Sequence, residues 1–307
     1  MKKHWELIVG LVSLVVGIVA LVVGIVYGQG QASLARRAEQ AQAQSLVREA
    51  TEMVTRGGST MAQTDWRLTG DADAEVQKAL SRLDLAIKLD PGSADVLKTQ
   101  ALCYDILGHY DEALGIYAKA LTRSPQKSLS AAILNNMGNI YLEQCELGKA
   151  EQSFRKAIAM YPNLAVAHGN LGDVLRRFAK YDEAVREARL AGKIDPGFVG
   201  ALLVEARVEV ARGNPQKAYP ILVKAVRLDP QYQVDTHLEL SRLLDRLGRP
   251  ADALKEARGA VLVEPNSASA HQWLAELLGR IGHAEEAAAE ADEAQTLAGL
   301  RKSSDKC

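Results

Sequence analysis

The chain has 307 residues with 37 basic and 38 acidic side chains, a formal net charge of −1. That balance supplies no field to gather nucleic acid, and aromatics at 5% leave few platforms for stacked bases. Three cysteines without metal-ligand spacing (Cys103, Cys145, Cys307) neither imply a disulfide framework nor exclude an oxidising compartment.

Residues 1–6 form a short N-terminal tail. From Leu7 to Tyr27 the chain is almost entirely Val, Leu, Ile, Gly and Ala, with Ser13 the only polar side chain, and no charge follows Glu6 until Arg36. Twenty-one helical residues span about 31 Å, the thickness of a bilayer's hydrocarbon core, so 7–27 is expected to be a single transmembrane helix. Trp5 and Tyr27 stand where amphipathic rings prefer the interface. A cleaved signal peptide competes with this reading, but its apolar core is normally about 7–15 residues. Lys2 and Lys3 favour a cytoplasmic N-terminus, which puts the rest on the periplasmic side of a bacterial inner membrane; Arg36 and Arg37 argue the reverse. Gly10, Ser13, Gly17, Ala20 and Gly24 recur three and four apart, one stripe of small residues. Either the stripe packs on a second membrane helix or on a second copy of the chain, or it reflects the ordinary abundance of Gly and Ala in such helices.

Residues 28–58 are expected to be a helical linker. Leu46, Val47, Ala50, Met53 and Val54 make an apolar stripe, and Gly57-Gly58 ends it. Residues 59–73 are polar and turn-rich, and a helical pattern resumes from Ala74 to Pro91; 59–93 is expected to be a degenerate N-terminal repeat or cap. Either the stripe before it is that repeat's first helix, with the turn enlarged to hold Trp66, or 60–69 is a short helix of its own.

A fixed spacing then returns. Ala113, Ala120 and Pro125 are followed by Ala150, Ala157 and Pro162, Ala184, Ala191 and Pro196, Ala218, Ala225 and Pro230, then Ala253, Ala260 and Pro265; Ala287 and Ala294 close the series. Small residues precede each first alanine at Ala101, Gly138, Gly172, Ala206, Ser241 and Ala275, and turns often contain glycine, at Gly108, Gly213, Gly248 and Gly282. Each unit reads helix, tight turn, helix, proline stop, because proline lacks the amide a helix needs. A period near 34 residues marks a solenoid.

The segment Asn136-Met137-Gly138-Asn139-Ile140-Tyr141-Leu142, with Lys149-Ala150-Glu151 and Tyr161-Pro162, resembles the tetratricopeptide repeat, as does Gly108-His109-Tyr110-Asp111-Glu112-Ala113. The resemblance implies an all-α solenoid of six helix-turn-helix units at 94–127, 131–164, 165–198, 199–232, 234–267 and 268–301, followed by a tail at 302–307. In this family the first helix of each unit lines a concave groove through its second, fifth, sixth, ninth and twelfth positions. Carried over, these positions give Asn135, Asn136 and Asn139, then Asn170, Asp173 and Arg176, then Arg207, then Arg242 and Asp245, as candidate peptide- or protein-binding residues. Asparagine offers a donor and an acceptor to an extended main chain, and arginine a fork for carboxylates. The family's clamp for a partner's C-terminal carboxylate is incomplete. Lys98 and Asn136 match it, while Leu102, Val166 and Asn170 stand where Asn, Lys and Arg are required.

Nothing points to catalysis, a cofactor or a metal. The histidines form no His-Glu-x-x-His pattern; His168, His237 and His271 share the fourth position of a first helix, where the family places a packing residue. Gly28-Gln29-Gly30 makes no phosphate cradle, and Asp71-Ala72-Asp73-Ala74-Glu75 reads as a helix start. The expected role is a membrane-tethered adaptor that binds partner proteins or extended peptides for assembly of a complex. The alternative is a glycan- or small-molecule-sensing module of an envelope enzyme complex, for which Trp273 is the one clear groove aromatic.

Overall fold

The computed structural model describes residues 31–54, 70–124, 126–228 and 234–300. Among them every regular element is helical: α1 over 31–54, then α2 Gly70–Leu89, α3 Ala94–Ile106, α4 Tyr110–Arg123, α5 Lys127–Glu143, α6 Leu147–Met160, α7 Ala165–Arg177, α8 Tyr181–Ile194, α9 Val199–Ala211, α10 Pro215–Leu228, α11 Val234–Arg246, α12 Pro250–Val263, α13 Ala268–Arg280 and α14 Ala284–Leu300. From α3 onward the helices pair as units 1 to 6, each an A helix followed by a B helix. Helices α3 and α5, α5 and α7, α7 and α9, and α11 and α13 also touch across the unit boundary. The A helices therefore form the closely packed inner wall of a curved stack.

One device repeats at every A-to-B turn. The second residue after the first helix is left-handed at Gly108, Gly213, Gly248 and Gly282, and also at two residues that are not glycine, Cys145 (φ 61°) and Ala179 (φ 57°). The following amide then donates back to the carbonyl five residues earlier: His109 to Tyr104 at 2.9 Å, Glu146 to Tyr141 at 2.8 Å, Lys180 to Leu175 at 2.9 Å, and likewise in units 4 to 6. This closure satisfies carbonyls that a helix end leaves open.

The recurrent alanines are the contact points between helices. Ala113, Ala120, Ala150, Ala157, Ala184, Ala191, Ala218, Ala225, Ala253 and Ala260 are all fully buried. Small residues on the A helices face them or the B helix's bulk: a Cβ on Gly138 would stand 2.5 Å from the Phe154 ring, and one on Gly172 would stand 3.2 Å from the Ala184 carbonyl. Large side chains from the B helices, such as Tyr117 and Phe154, fill the space so created. At the front of the stack, Ala43, Leu46, Ala50 and Val54 of α1 share a core with Val76, Ala79, Leu83 and Ala86 of α2 and with Val96 and Cys103 of α3. Burial pushes the Cys103 thiol up to about 12, so it stays protonated there.

The expected single-pass membrane location is corrected by these helices. Among the described residues none is long and apolar enough to cross a membrane. The two longest, α1 and α2, carry charges along their length, Arg36, Arg37, Glu39, Arg48, Glu49 and Glu52 in the first and Glu75, Lys78, Arg82, Asp84 and Lys88 in the second, and each such charge opposes transfer into hydrocarbon. Residues 7–27, with Gly10, Ser13, Gly17, Ala20 and Gly24, lie outside the described residues.

Candidate functional site

The inner wall carries a ladder of polar contacts that crosses every boundary between units. Between units 1 and 2, the Asn136 amide donates to the Tyr117 hydroxyl at 3.1 Å. Burial, and then the nearby charge of Asp105, raises the Tyr117 phenol, so it remains neutral. Between units 2 and 3, Asn170 donates through Nδ2 to Asn135 Oδ1 at 3.1 Å and to Asn139 Oδ1 at 2.9 Å. Asn135 is buried beneath this cluster, whereas Asn136, Asn139 and Asn170 are half-buried at its surface.

Between units 3 and 4 the ladder becomes ionic. Asp173 accepts from Arg176 Nε at 2.9 Å and from Arg177 Nε at 3.0 Å, with Arg207 Nη1 at 3.8 Å. Burial pushes the Asp173 carboxyl up, but Arg176, Arg177 and Arg207 together outweigh it and hold the group below the usual carboxylate range. Arg207 also donates to Glu239 Oε1 at 3.2 Å, which joins unit 4 to unit 5. Between units 5 and 6 the link is aromatic. Trp273 Nε1 donates to Ser241 Oγ at 2.8 Å, and Ser241 donates in turn to the Ala253 carbonyl at 2.7 Å. The Arg242 and Arg280 guanidiniums lie 5.4 and 4.9 Å from the Trp273 ring centroid, and Arg280 pairs with Asp245 at 3.0 Å.

The structure thus brings Asn135, Asn139 and Asn170 into one cluster and Asp173, Arg176 and Arg207 into a second. Arg242 and Asp245 meet in a third around Trp273 and Arg280. Tyr117, Glu239 and Phe198 are not among the residues singled out from the sequence. Tyr117 comes from a B helix, and its neighbour Asn136 follows it by 19 residues. Glu239 occupies the sixth position of its A helix, the position of Asn136, Asn170 and Trp273, and the helix register would have found it. Phe198 stands between units, and its ring fills the space that side chains at Gly169 and Gly200 would occupy; a Cβ there would come within 2.3 and 2.7 Å of it. That contact makes the inner wall beside Asn170 apolar.

On the outer face, Arg155 to Glu183 and Arg258 to Glu286 join the B helices of successive units, and Arg212, at the end of α9, pairs with Asp182 on α8. These pairs are solvated and contribute little to stability. Among the described residues no group of three or more His, Cys, Asp or Glu is placed to hold a metal ion.

Comparison with known proteins agrees with this architecture. Two tetratricopeptide-repeat models match, one over residues 93–163 and 129–191 and the other over 209–277, together more than half of the chain. Similar curated proteins include the DnaJ homolog subfamily C member 7 of Mus musculus, 29% identical over 99 residues (32% of this chain, 20% of that protein). The small glutamine-rich tetratricopeptide repeat-containing protein 2 of Mycosarcoma maydis is 30% identical over 111 residues (36% and 32%). The photosystem I assembly protein Ycf3 of Acaryochloris marina is 30% identical over 133 residues (39% and 80%). The chain spans about a fifth and a third of the first two proteins' lengths. A solved tetratricopeptide repeat protein from Parabacteroides merdae superposes with a TM-score of 0.60 at 18% identity, covering 85% of this chain and 97% of that one. The thermophilic repeat protein TTC0263 of Thermus thermophilus gives 0.54 at 20% identity, covering 61% and 99%. With the alanine spacing, the repeated left-handed turn and the matched models all in agreement, the chain belongs to the tetratricopeptide-repeat family, whose fold serves as a scaffold for protein–protein interaction.

Proposed function

We propose that this protein is a non-enzymatic scaffold that binds an extended segment of a partner protein along the inner wall of units 2 to 4, in the assembly of a protein complex. The amide cluster carries this reading. Asn170 commits its Nδ2 group to Asn135 and Asn139, and Asn136 commits its Nδ2 to Tyr117. The carbonyl oxygens of Asn170 and Asn136 and the amide nitrogen of Asn139 then serve a peptide main chain, which needs both acceptors and donors. The contacts that fix these amides also reduce the entropy a ligand must remove on binding. Phe198 beside the cluster offers an apolar surface for a neighbouring side chain.

The incomplete carboxylate clamp directs the reading to an internal segment of a partner and away from a captured C-terminus. The Ycf3 relative, whose name assigns it to photosystem I assembly, supports the general class of complex assembly. Glycan sensing draws less support, since the Trp273 ring is engaged by two guanidiniums and tied to Ser241.

Affinity capture with crosslinking, comparing the wild type with the double variant Asn136→Ala, Asn170→Ala, tests the groove. The variant is expected to retain its helical content and lose the captured partners. Recovery of the same partners in equal amounts would remove the assignment.

A further inference from the structure

Three of the six units carry a histidine at the fourth position of the A helix and a glutamate nineteen residues later on the B helix. His168 Nδ1 lies 2.6 Å from Glu187 Oε2, His237 Nδ1 lies 2.8 Å from Glu256 Oε2, and His271 Nδ1 lies 2.5 Å from Glu290 Oε2. The second ring nitrogen is also occupied in two of them. His168 Nε2 meets the Pro162 carbonyl at 2.9 Å and His271 Nε2 meets the Pro265 carbonyl at 2.8 Å. Both prolines stand in the turn that joins one unit to the next.

The same two positions in the other units hold Leu97 with Ile116, Leu134 with Ser153, and Leu202 with Ile221. Histidine and glutamate therefore enter together and leave together within a single chain. Packing alone asks only for an apolar residue at the fourth position, as units 1, 2 and 4 demonstrate. The His–Glu pair is a distinct device.

We propose that the His168–Glu187 pair of unit 3 forms a pH-sensitive clamp on the turn that joins units 2 and 3, closed on the acid side of neutrality and released as pH rises. The His168 ring faces the Glu187 carboxylate on one nitrogen and the Pro162 carbonyl on the other, both acceptors. A neutral imidazole donates from only one nitrogen, so the arrangement needs one more proton than a neutral ring beside an ionised glutamate provides. When that proton leaves, two acceptors face each other across a hydrogen-bond distance, on a His168 side chain that is only 4% exposed.

The charged group at each ring is its own glutamate, Glu187 on α8, Glu256 on α12 and Glu290 on α14; among the described residues no other charged side chain makes a hydrogen bond or ion pair to any of them. For His168 the bond to Glu187 outweighs burial and raises the pKa above that of a free imidazole, with the Pro162 carbonyl adding to it. A histidine with a raised folded pKa contributes stability that is complete below the unfolded value and is lost as pH rises through the folded one. Opening this clamp loosens α7 two residues from Asn170. In a quasi-one-dimensional stack such a release stays local, so it alters the curvature of one boundary without unfolding the rest.

The test compares thermal midpoints of the full chain between pH ~5.5 and ~9, a window that brackets histidine titration. His168→Leu with Glu187→Ile copies the apolar pair of unit 4 and keeps the packing. The wild-type midpoint is expected to fall relative to that variant by a few °C as pH rises. Glu187→Gln allows a neutral ring to accept from the carboxamide and donate to Pro162, and its profile is expected to run parallel to the apolar variant. Nitrogen-15 spectra of the histidine side chains give a second readout, with both ring nitrogens of His168 protonated near pH ~6.5. A midpoint difference that stays constant across the window, or a His168 ring with one protonated nitrogen at that pH, would overturn the proposal.

Discussion

Units 2 and 5 share one backbone and fill it in opposite ways. In unit 2 a glycine, Gly138, opens room on the A helix, and Phe154 from its own B helix fills it completely. In unit 5 the equivalent pair is Ser241 and Ala257, and the serine bonds to the Ala253 carbonyl and receives the Trp273 N–H of unit 6. The first solution stabilises a unit from within. The second makes a unit depend on the one that follows it. The inner wall changes in step, from neutral amides beside unit 2 to guanidiniums around an indole beside unit 5. The comparison teaches that the alanine and proline positions fix the stack, while the sixth and ninth positions of the A helices are free to differ, and differing is what gives each stretch of groove its chemistry.

The strongest way to break the contrast is Phe154→Ala. Removing a fully buried ring beside a glycine leaves a cavity the backbone cannot close, and a loss of about 3–5 kcal/mol is expected in urea denaturation. Next is Asp173→Asn, which leaves Arg176, Arg177 and Arg207 without their common carboxylate; a loss of about 1–2 kcal/mol at neutral pH is expected, since the site is partly solvated. Its sign with pH follows from the lowered carboxyl. The stabilisation is present above the ordinary range and disappears as pH falls through the native value, so wild type and variant should converge in acid below pH ~4. A variant equally inferior at every pH would mean that packing, not charge, carries the effect.

Ser241→Ala sharpens the unit 5 side. It removes a buried donor and the acceptor for Trp273, and should cost about 1–2 kcal/mol with a red shift of indole emission as unit 6 loosens. An unchanged emission would show that Arg242 and Arg280 hold the ring without it. The smallest effect is a gain. Ala179 adopts the left-handed turn that Gly248 makes in unit 5 without a Cβ, so Ala179→Gly is expected to raise stability by about 0.5–1 kcal/mol, measured by the same denaturation.

Much of this architecture was legible before any coordinates. The spacing of Ala150, Ala157 and Pro162 predicts two helices, their contact and their stop, because small residues at fixed helical intervals allow only one close approach. The left-handed turns at Cys145 and Ala179 were not legible, since neither residue signals a positive φ and only the repeat register places them there. At the candidate site the sequence places Asn135 and Asn139 together on one helix as groove candidates. The stack buries the first and leaves the second at the surface, holding Asn170 between them. His168 reads as a packing residue at its position, and its ion pair with Glu187 requires α8 to fold back across α7.

The sequence by itself determined the repeat, because helix periodicity and the size of residues at helix contacts are local properties written into every 34-residue stretch. Only the tertiary structure decided which polar groups meet. Asn170 with Asn135, Arg207 with Glu239 and Trp273 with Ser241 are separated by 35, 32 and 32 residues, and each pair comes together solely because one unit lies against the next.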